Sequence, residues 1–305
     1  MKTGRPLLLL LAALLAPGLR DAHAEPRSFN VGLLRYSLNG ISENDTRAAF
    51  RSWVQLIGRE SGLEMEAGTV PLNSLTEVLP AIRSGSIDVL ICNSLEYLEL
   101  APHLPPGRLL HPTRSTGALE EYLLLCHRDA PGHGLADFRG KRVFRLTRWA
   151  APLADLWLEA ELHRLGQPPG REFFASTTAF PKPARALLPV HFKQADACLV
   201  TRAAYETMCE LNPKLRETLR VVLRSPPLVA SVVWLSAPPD SSLHTKAYEI
   251  VKDLQRSAAG RQTMLLFQYT GLVDCPDHAL ASARELAATL AAFLPEPTAY
   301  LAQEP

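Results

Sequence analysis

Two short polar breaks are the first places in this chain with the means to hold a ligand. Asn93-Ser94 follows the apolar run Val89-Leu90-Ile91-Cys92, and Thr201 follows Ala197-Cys198-Leu199-Val200. A continuous apolar run of this length between helices reads as a parallel strand buried on both faces. Asn, Ser and Thr just past its carboxyl end are good N-caps for the helix that follows. A helix start at the carboxyl edge of a parallel sheet offers free N–H groups, preferably to an anion. Basic residues occupy similar positions: Arg145 and Arg148 flank Thr147, and Arg202 follows Thr201. Each guanidinium either grips a carboxylate or phosphate oxygen through paired N–H donors or remains a solvated surface charge. Thr147 and Thr201 read as helix caps, a role compatible with ligand contact. Tyr97, on the helix after Asn93-Ser94, either packs between helices or reaches the ligand.

The two breaks belong to one unit made twice. Asp88 to Tyr97 and Asp196 to Tyr205 have the same spacing, with the apolar run, the break and a helix in the same order. Asp88 and Asp196 are expected to satisfy turn N–H groups before their strands. One such unit occurs in any α/β protein. Two matched units point to two like lobes with a groove between them.

The rest of the chain supplies the elements that position these residues. A strand is expected over 29–35. A helix follows, with Ser42 and Asp45 at its start and Phe50, Trp53, Leu56 and Ile57 on one face, and Gly62 stops it. Further strands are expected over 63–70, 122–127, 219–223 and 229–235, with a brief one at Phe173-Phe174. Further helices are expected over 75–83, 148–165 (capped by Thr147), 183–192, 243–254 and 281–293. A short helical turn from Leu135, then Gly140-Lys141 and a strand, opens the second lobe. Residues 101–118, with four prolines and two glycines, read as an irregular loop. The expected fold is α/β with two lobes, each a doubly wound, mostly parallel sheet with flanking helices. Lobe I is expected over 25–119 plus 237–305 and lobe II over 120–236, with hinge strands at both ends. Such a lobe, entered and left by two strands, can close on a ligand.

Residues 1–24 read as a signal peptide. Lys2 and Arg5 form the basic start, 7–16 the apolar stretch, and Ala22-His23-Ala24 the cleavage site. Export to the periplasm, with cleavage after Ala24, follows. Cleavage leaves 29 basic and 30 acidic residues, a balance that argues against nucleic acid or an anionic membrane as partner. Cys92 and Cys198 sit in expected buried strands, where a lone thiol behaves as a small apolar group. Of possible disulfides, Cys198–Cys209 is the nearest in sequence. No paired His/Cys spacing suggests zinc, and no cofactor is called for. The chain has no GxSxG, no P-loop and no HExxH, so no enzyme is expected.

RSGSIDVLICNSLEYLELA, LADFRGKRVF, QADACLV and ELNPKLRETLRVVLRSPP together resemble the phosphonate-binding (PhnD-like) family of extracytoplasmic solute-binding proteins, within the type 2 periplasmic binding fold. The resemblance implies a non-enzymatic receptor that delivers a small solute to the permease of an ABC transporter, and a monomer is expected. The ligand is expected between Asn93, Ser94 and Tyr97 on one side and Arg145, Thr147, Arg148, Thr201 and Arg202 on the other. The chain departs from the family pattern at several points. The family's Ser-Thr-Ser-Gly run is replaced by Arg145-Leu146-Thr147-Arg148. A serine-histidine pair is absent near Ser176 to Lys182. Two ligand-binding acids are missing, one within Thr201-Arg202-Ala203 and one within Leu228 to Ser231. The expected ligand is therefore a small anionic or zwitterionic compound, a phosphonate-like or phosphate-like oxyanion or a carboxylate. The alternative is a sensing receptor that presents its closed shape to a membrane sensor kinase. An enzyme on the same fold is less favoured.

Overall fold

The computed structural model describes residues 27–34, 43–62, 65–114, 117–239, 241–267 and 269–294. The expected leader 1–24 and the capping Ser42 lie outside these.

In chain order the described elements are β1 (Arg27–Leu34), α1 (Glu43–Ser61), β2 (Met65–Leu72), α2 (Val78–Arg83), β3 (Val89–Asn93), α3 (Ser94–Leu100) and β4 (Gly107–Thr113). Then come β5 (Tyr122–His127), β6 (Arg142–Leu146), α4 (Ala154–Arg164), α5 (Gly170–Phe173), β7 (Ser176–Phe180), α6 (Pro183–His191), β8 (Ala197–Thr201), α7 (Arg202–Leu211), α8 (Lys214–Thr218) and β9 (Leu219–Arg224). The chain finishes with β10 (Ser231–Ser236), α9 (Ser242–Lys252), α10 (Ala258–Leu266), β11 (Gly271–Asp274) and α11 (Ala281–Ala291).

These strands form two sheets in the order β2-β1-β3-β10-β4-β11 and β7-β6-β8-β5-β9. β1 runs parallel to β2 and β3, and β6 runs parallel to β7 and β8. One strand runs backwards beside the third strand of each trio: β10 against β3, and β5 against β8. The fold is two-lobed α/β, but its sheets are mixed where mostly parallel ones were expected: among the described strands four neighbouring pairs run parallel and five antiparallel. β10 was expected as a hinge strand closing the second lobe, and it pairs on both edges within the first sheet. The two reversed strands are thus the chain's two crossings between lobes.

The repeated unit is visible down to single bonds. Gly85 and Lys193, each three residues before the unit's aspartate, have left-handed backbone with φ of 71° and 60°. Each sits at a helix end closed by the same long backbone bond, Ser86 N to Ala81 O at 2.9 Å and Gln194 N to Pro189 O at 2.7 Å. The aspartates then lock each third strand to the first. Asp88 N donates to Asn30 O while Asn30 N donates to Asp88 Oδ2. Asp196 and Arg142 make the same reciprocal pair.

The core follows strand periodicity. Along β10, Val233 and Leu235 enter one buried cluster of the first lobe, and Val232 and Trp234 enter the cluster on the opposite face. A third cluster fills the second lobe around β5, β8 and α4. Leu286 and Leu290 of α11 join that third cluster, and His163 of α4 stacks on Phe293 at 4.0 Å. α11 and Phe293 therefore pack onto the second lobe.

Three local expectations are corrected. The helix expected from Arg148 begins only at Ala154, because Pro152 has no N–H to give an interior helical turn. Thr147 accordingly caps no helix. Phe173-Phe174 close a helical turn, not a strand, and both rings are buried. That turn starts where Gly170 N donates to both oxygens of the buried Glu159 carboxylate, at 3.0 and 3.1 Å. Within 101–118, residues Gly107–Thr113 form β4. Its pairing with β10 ends at Leu110, so Pro112 breaks no rung of that ladder. α10 and β11 went unforeseen.

Candidate ligand-binding cleft

The carboxyl ends of β3 and β8 each carry the expected cap. Asn93 Oδ1 accepts from Leu95 N at 2.9 Å and Glu96 N at 3.0 Å, and Glu96 Oε2 accepts from Asn93 N at 2.8 Å. This buried capping box commits the Asn93 carbonyl to its own helix. Thr201 Oγ1 accepts from Ala204 N at 3.1 Å. Each cap lies opposite the first residue of a crossing strand, Asn93 across from Ser231 and Thr201 across from Tyr122. Ser94 is fully buried, and its hydroxyl has no hydrogen-bond partner among the described residues. Tyr97 is half-buried against the first-lobe cluster around Trp234, and burial is the main cause of its raised phenol pKa.

The arginines sit beside acids that the sequence reading passed over. Arg145 Nη1 donates to Asp155 Oδ2 at 2.8 Å, and Arg148 Nε lies 4.0 Å from the same oxygen. Both side chains are largely shielded from solvent. The Thr147 hydroxyl is buried beside them with no hydrogen-bond partner among the described residues. Arg202 is more open. Its Nη1 bonds Glu121 Oε1 at 2.9 Å and its Nε bonds Glu206 Oε1 at 2.6 Å.

A polar cavity of about 510 Å³, counting the part open to solvent, lies between the lobes. The first lobe contributes His111, Arg114 and Ser231, the second Arg202 and Ala203, and the crossing segment Glu120 and Glu121. Arg114 Nε stands 3.2 Å from Glu120 Oε1, with the guanidinium over the Tyr269 ring at 5.0 Å. Burial raises the Glu120 carboxyl pKa, and the neighbouring Arg114 opposes the rise. Burial is also the main cause of the lowered His111 pKa. Of the eight residues singled out from sequence, Arg202 lines this cavity. Arg145 and Arg148 meet at Asp155 with Thr147 between them in sequence, Thr201 caps α7, and Asn93, Ser94 and Tyr97 lie on the first-lobe edge.

A second cavity, about 520 Å³ by the same measure, is almost wholly apolar. Phe50, Trp53, Ile91, Phe267 and Tyr269 line it from the first lobe, and Trp149 reaches it from the loop after β6. Pro112 and Ser231 line both cavities. Sequence reasoning missed Glu120, Glu121 and Trp149. The adjacent acids just ahead of a crossing strand were the available signal for the first two.

All five cysteines are free and buried. Among the described residues no cluster of His, Cys, Asp and Glu could hold a metal ion, and no helix is long and apolar enough to cross a membrane.

The family model described as "ABC transporter, phosphonate, periplasmic substrate-binding protein" matches residues 40–280. No curated protein matches the chain in the sequence comparison. A Xanthomonas citri protein, solved bound to chloride and bound to ATP, is similar with a TM-score of 0.60 and 16% identity, over 86% of this chain. The match covers 97% of that protein's chain in the chloride form and 96% in the ATP form. PhnD1 from Prochlorococcus marinus, solved with methylphosphonate, gives a TM-score of 0.58 at 13% identity, over 87% of this chain and 98% of that one. A binding-protein component of an ABC phosphonate transporter from Pseudomonas aeruginosa gives 0.55 at 14% identity, over 91% and 97%.

Proposed function

Since the chain belongs to the phosphonate family of periplasmic substrate-binding proteins of ABC transporters, we propose that it captures a small oxyanion-bearing solute between its lobes. In this reading the ligand is anionic or zwitterionic, and it is handed to the permease of an ABC importer. The protein works as a monomer, exported by a leader cut after Ala24. Lobe I is 25–119 plus 231–305, since β10 lies in the first sheet, and lobe II is 120–230, the two joined by the segments that lead into β5 and β10.

One observation carries the reading: a single polar cavity is walled by both lobes and by the strand that joins them. Ser231 belongs to the first sheet, Arg202 opens α7 of the second lobe, and Glu120-Glu121 precede β5. Closure of two bodies around such a space brings donors from both onto one ligand. Arg202 and Arg114 supply the cationic donors that line this cavity, with Arg145 and Arg148 beside it around Asp155 and Thr147, Thr201, Asn93, Ser94 and Tyr97 at the rims of the two sheets. The acids beside the arginines favour weakly held or zwitterionic anions over a bare trianion, because each acid already offsets part of the positive charge.

A thermal-shift screen of the mature protein against phosphonates, phosphite, phosphate, sulfonates and small carboxylates tests the reading. Stabilisation by at least one oxyanion, growing with its concentration as a binding isotherm requires, is the expected result. A flat response across the whole panel overturns it.

A further inference from the structure

The apolar cavity in the first lobe has the properties of a ligand subsite. It is a partly open hollow whose walls are almost wholly apolar, set beside the polar interlobe cavity. Water that enters it finds few polar partners on these walls, so an apolar group gains by displacing it. Rings dominate the lining. Phe50 lies 5.5 Å from Phe267, and Trp149 lies 5.2 Å from the same ring, so a second-lobe side chain packs onto a first-lobe aromatic cluster.

A second observation points to an occupant. Trp53 is 2% exposed, and its indole N–H has no acceptor among the described residues. A buried donor without a partner is costly, and this ring is part of the cavity wall, where the π face of an aromatic occupant accepts an N–H. The polar neighbour is immediate, since Pro112 and Ser231 line both spaces. One space holds Arg114 and Arg202, and the other holds rings.

We propose that the solute carries an aromatic or bulky apolar arm, which the chamber formed by Phe50, Trp53, Ile91, Trp149, Phe267 and Tyr269 receives while its oxyanion lies in the adjoining polar cavity. The assignment rests on the solute-binding reading above and narrows its ligand class. Trp149 closes over the arm from the second lobe, so the arm rewards closure. Small oxyanions such as phosphate or methylphosphonate leave the chamber empty and bind weakly.

Calorimetric titration with benzylphosphonate, methylphosphonate and toluene tests the proposal on the wild type and on Ile91→Phe, which fills the chamber. Leu272→Phe serves as a second filling variant should the first fail to fold. Benzylphosphonate is expected to bind at least about tenfold tighter than methylphosphonate, as burial of a phenyl ring requires. The filling variant is expected to erase that gain and leave methylphosphonate within about twofold of wild type. Equal affinity for the two phosphonates, or a gain that survives both filling variants, overturns the proposal and leaves the oxyanion reading standing. Toluene binding that is blocked by filling, with neither phosphonate bound, upholds the chamber and overturns the oxyanion reading. If none of the three binds, both are overturned.

Discussion

Arg202 Nη1 and Glu121 Oε1 are 2.9 Å apart at the mouth of the interlobe cavity, and the same carboxylate takes Arg224 Nη1 on its other oxygen at 3.1 Å. Glu121 therefore competes with any incoming anion for two guanidinium groups. Glu121→Gln is expected to raise affinity for an oxyanion by about two- to fivefold at low salt, with the gain shrinking as ionic strength rises. Titration at two salt concentrations reads this directly. An unchanged or lower affinity would remove Arg202 from the site.

Asp88 and Asp196 make matching reciprocal bonds to the strand beside them, at 2.8 Å from side chain to backbone N–H in both lobes. They are structural acids that pin the start of each third strand. Asp88→Ala is expected to cost about 1–3 kcal/mol of stability, through the backbone N–H it leaves unsatisfied, and to leave ligand affinity unaltered. Urea denaturation and titration of the same variant separate the two effects.

Lys193 holds the left-handed conformation that Gly85 holds in the first lobe. A side chain there is strained where glycine is not. Lys193→Gly is expected to stabilise by up to about 1 kcal/mol, and Gly85→Ala to destabilise by a comparable amount. Thermal denaturation of the pair shows opposite signs if the two turns are equivalent.

Glu120 titrates higher in the folded protein than in the unfolded chain, chiefly because it is buried. The folded state then holds its proton to higher pH than the unfolded one. Its contribution to stability is complete below the unfolded pKa and is lost as pH rises through the folded one. Glu120→Gln is expected to flatten the decline of stability across that window. Melting curves from pH 4 to 8 on wild type and variant measure the difference, and parallel curves would contradict it.

The paired units, the caps at Asn93 and Thr201 and the crossing at Tyr122 were legible because each rests on local pattern: apolar runs, cap residues and equal spacing. β4 and β11 were not. β4 follows Pro105-Pro106 and carries Pro112 within it, and its pairing comes from β10 and β11, over a hundred residues away. The helix expected at Arg148 failed on one residue, Pro152, whose missing N–H outweighs the favourable pattern around it. The arginines were found from their type alone, but their partners Asp155, Glu121 and Glu206 depend on folding. Trp149 could not be assigned from sequence, because its neighbour Phe267 belongs to the other lobe.

The most direct test is a calorimetric titration of benzylphosphonate into the wild type and into Arg202→Ala, with near-ultraviolet circular dichroism to establish that the variant is folded. Saturable one-to-one binding by the wild type, weakened at least about tenfold in the variant, is the predicted result. Binding of equal strength in both proteins, or no binding of any oxyanion by the wild type, would contradict it.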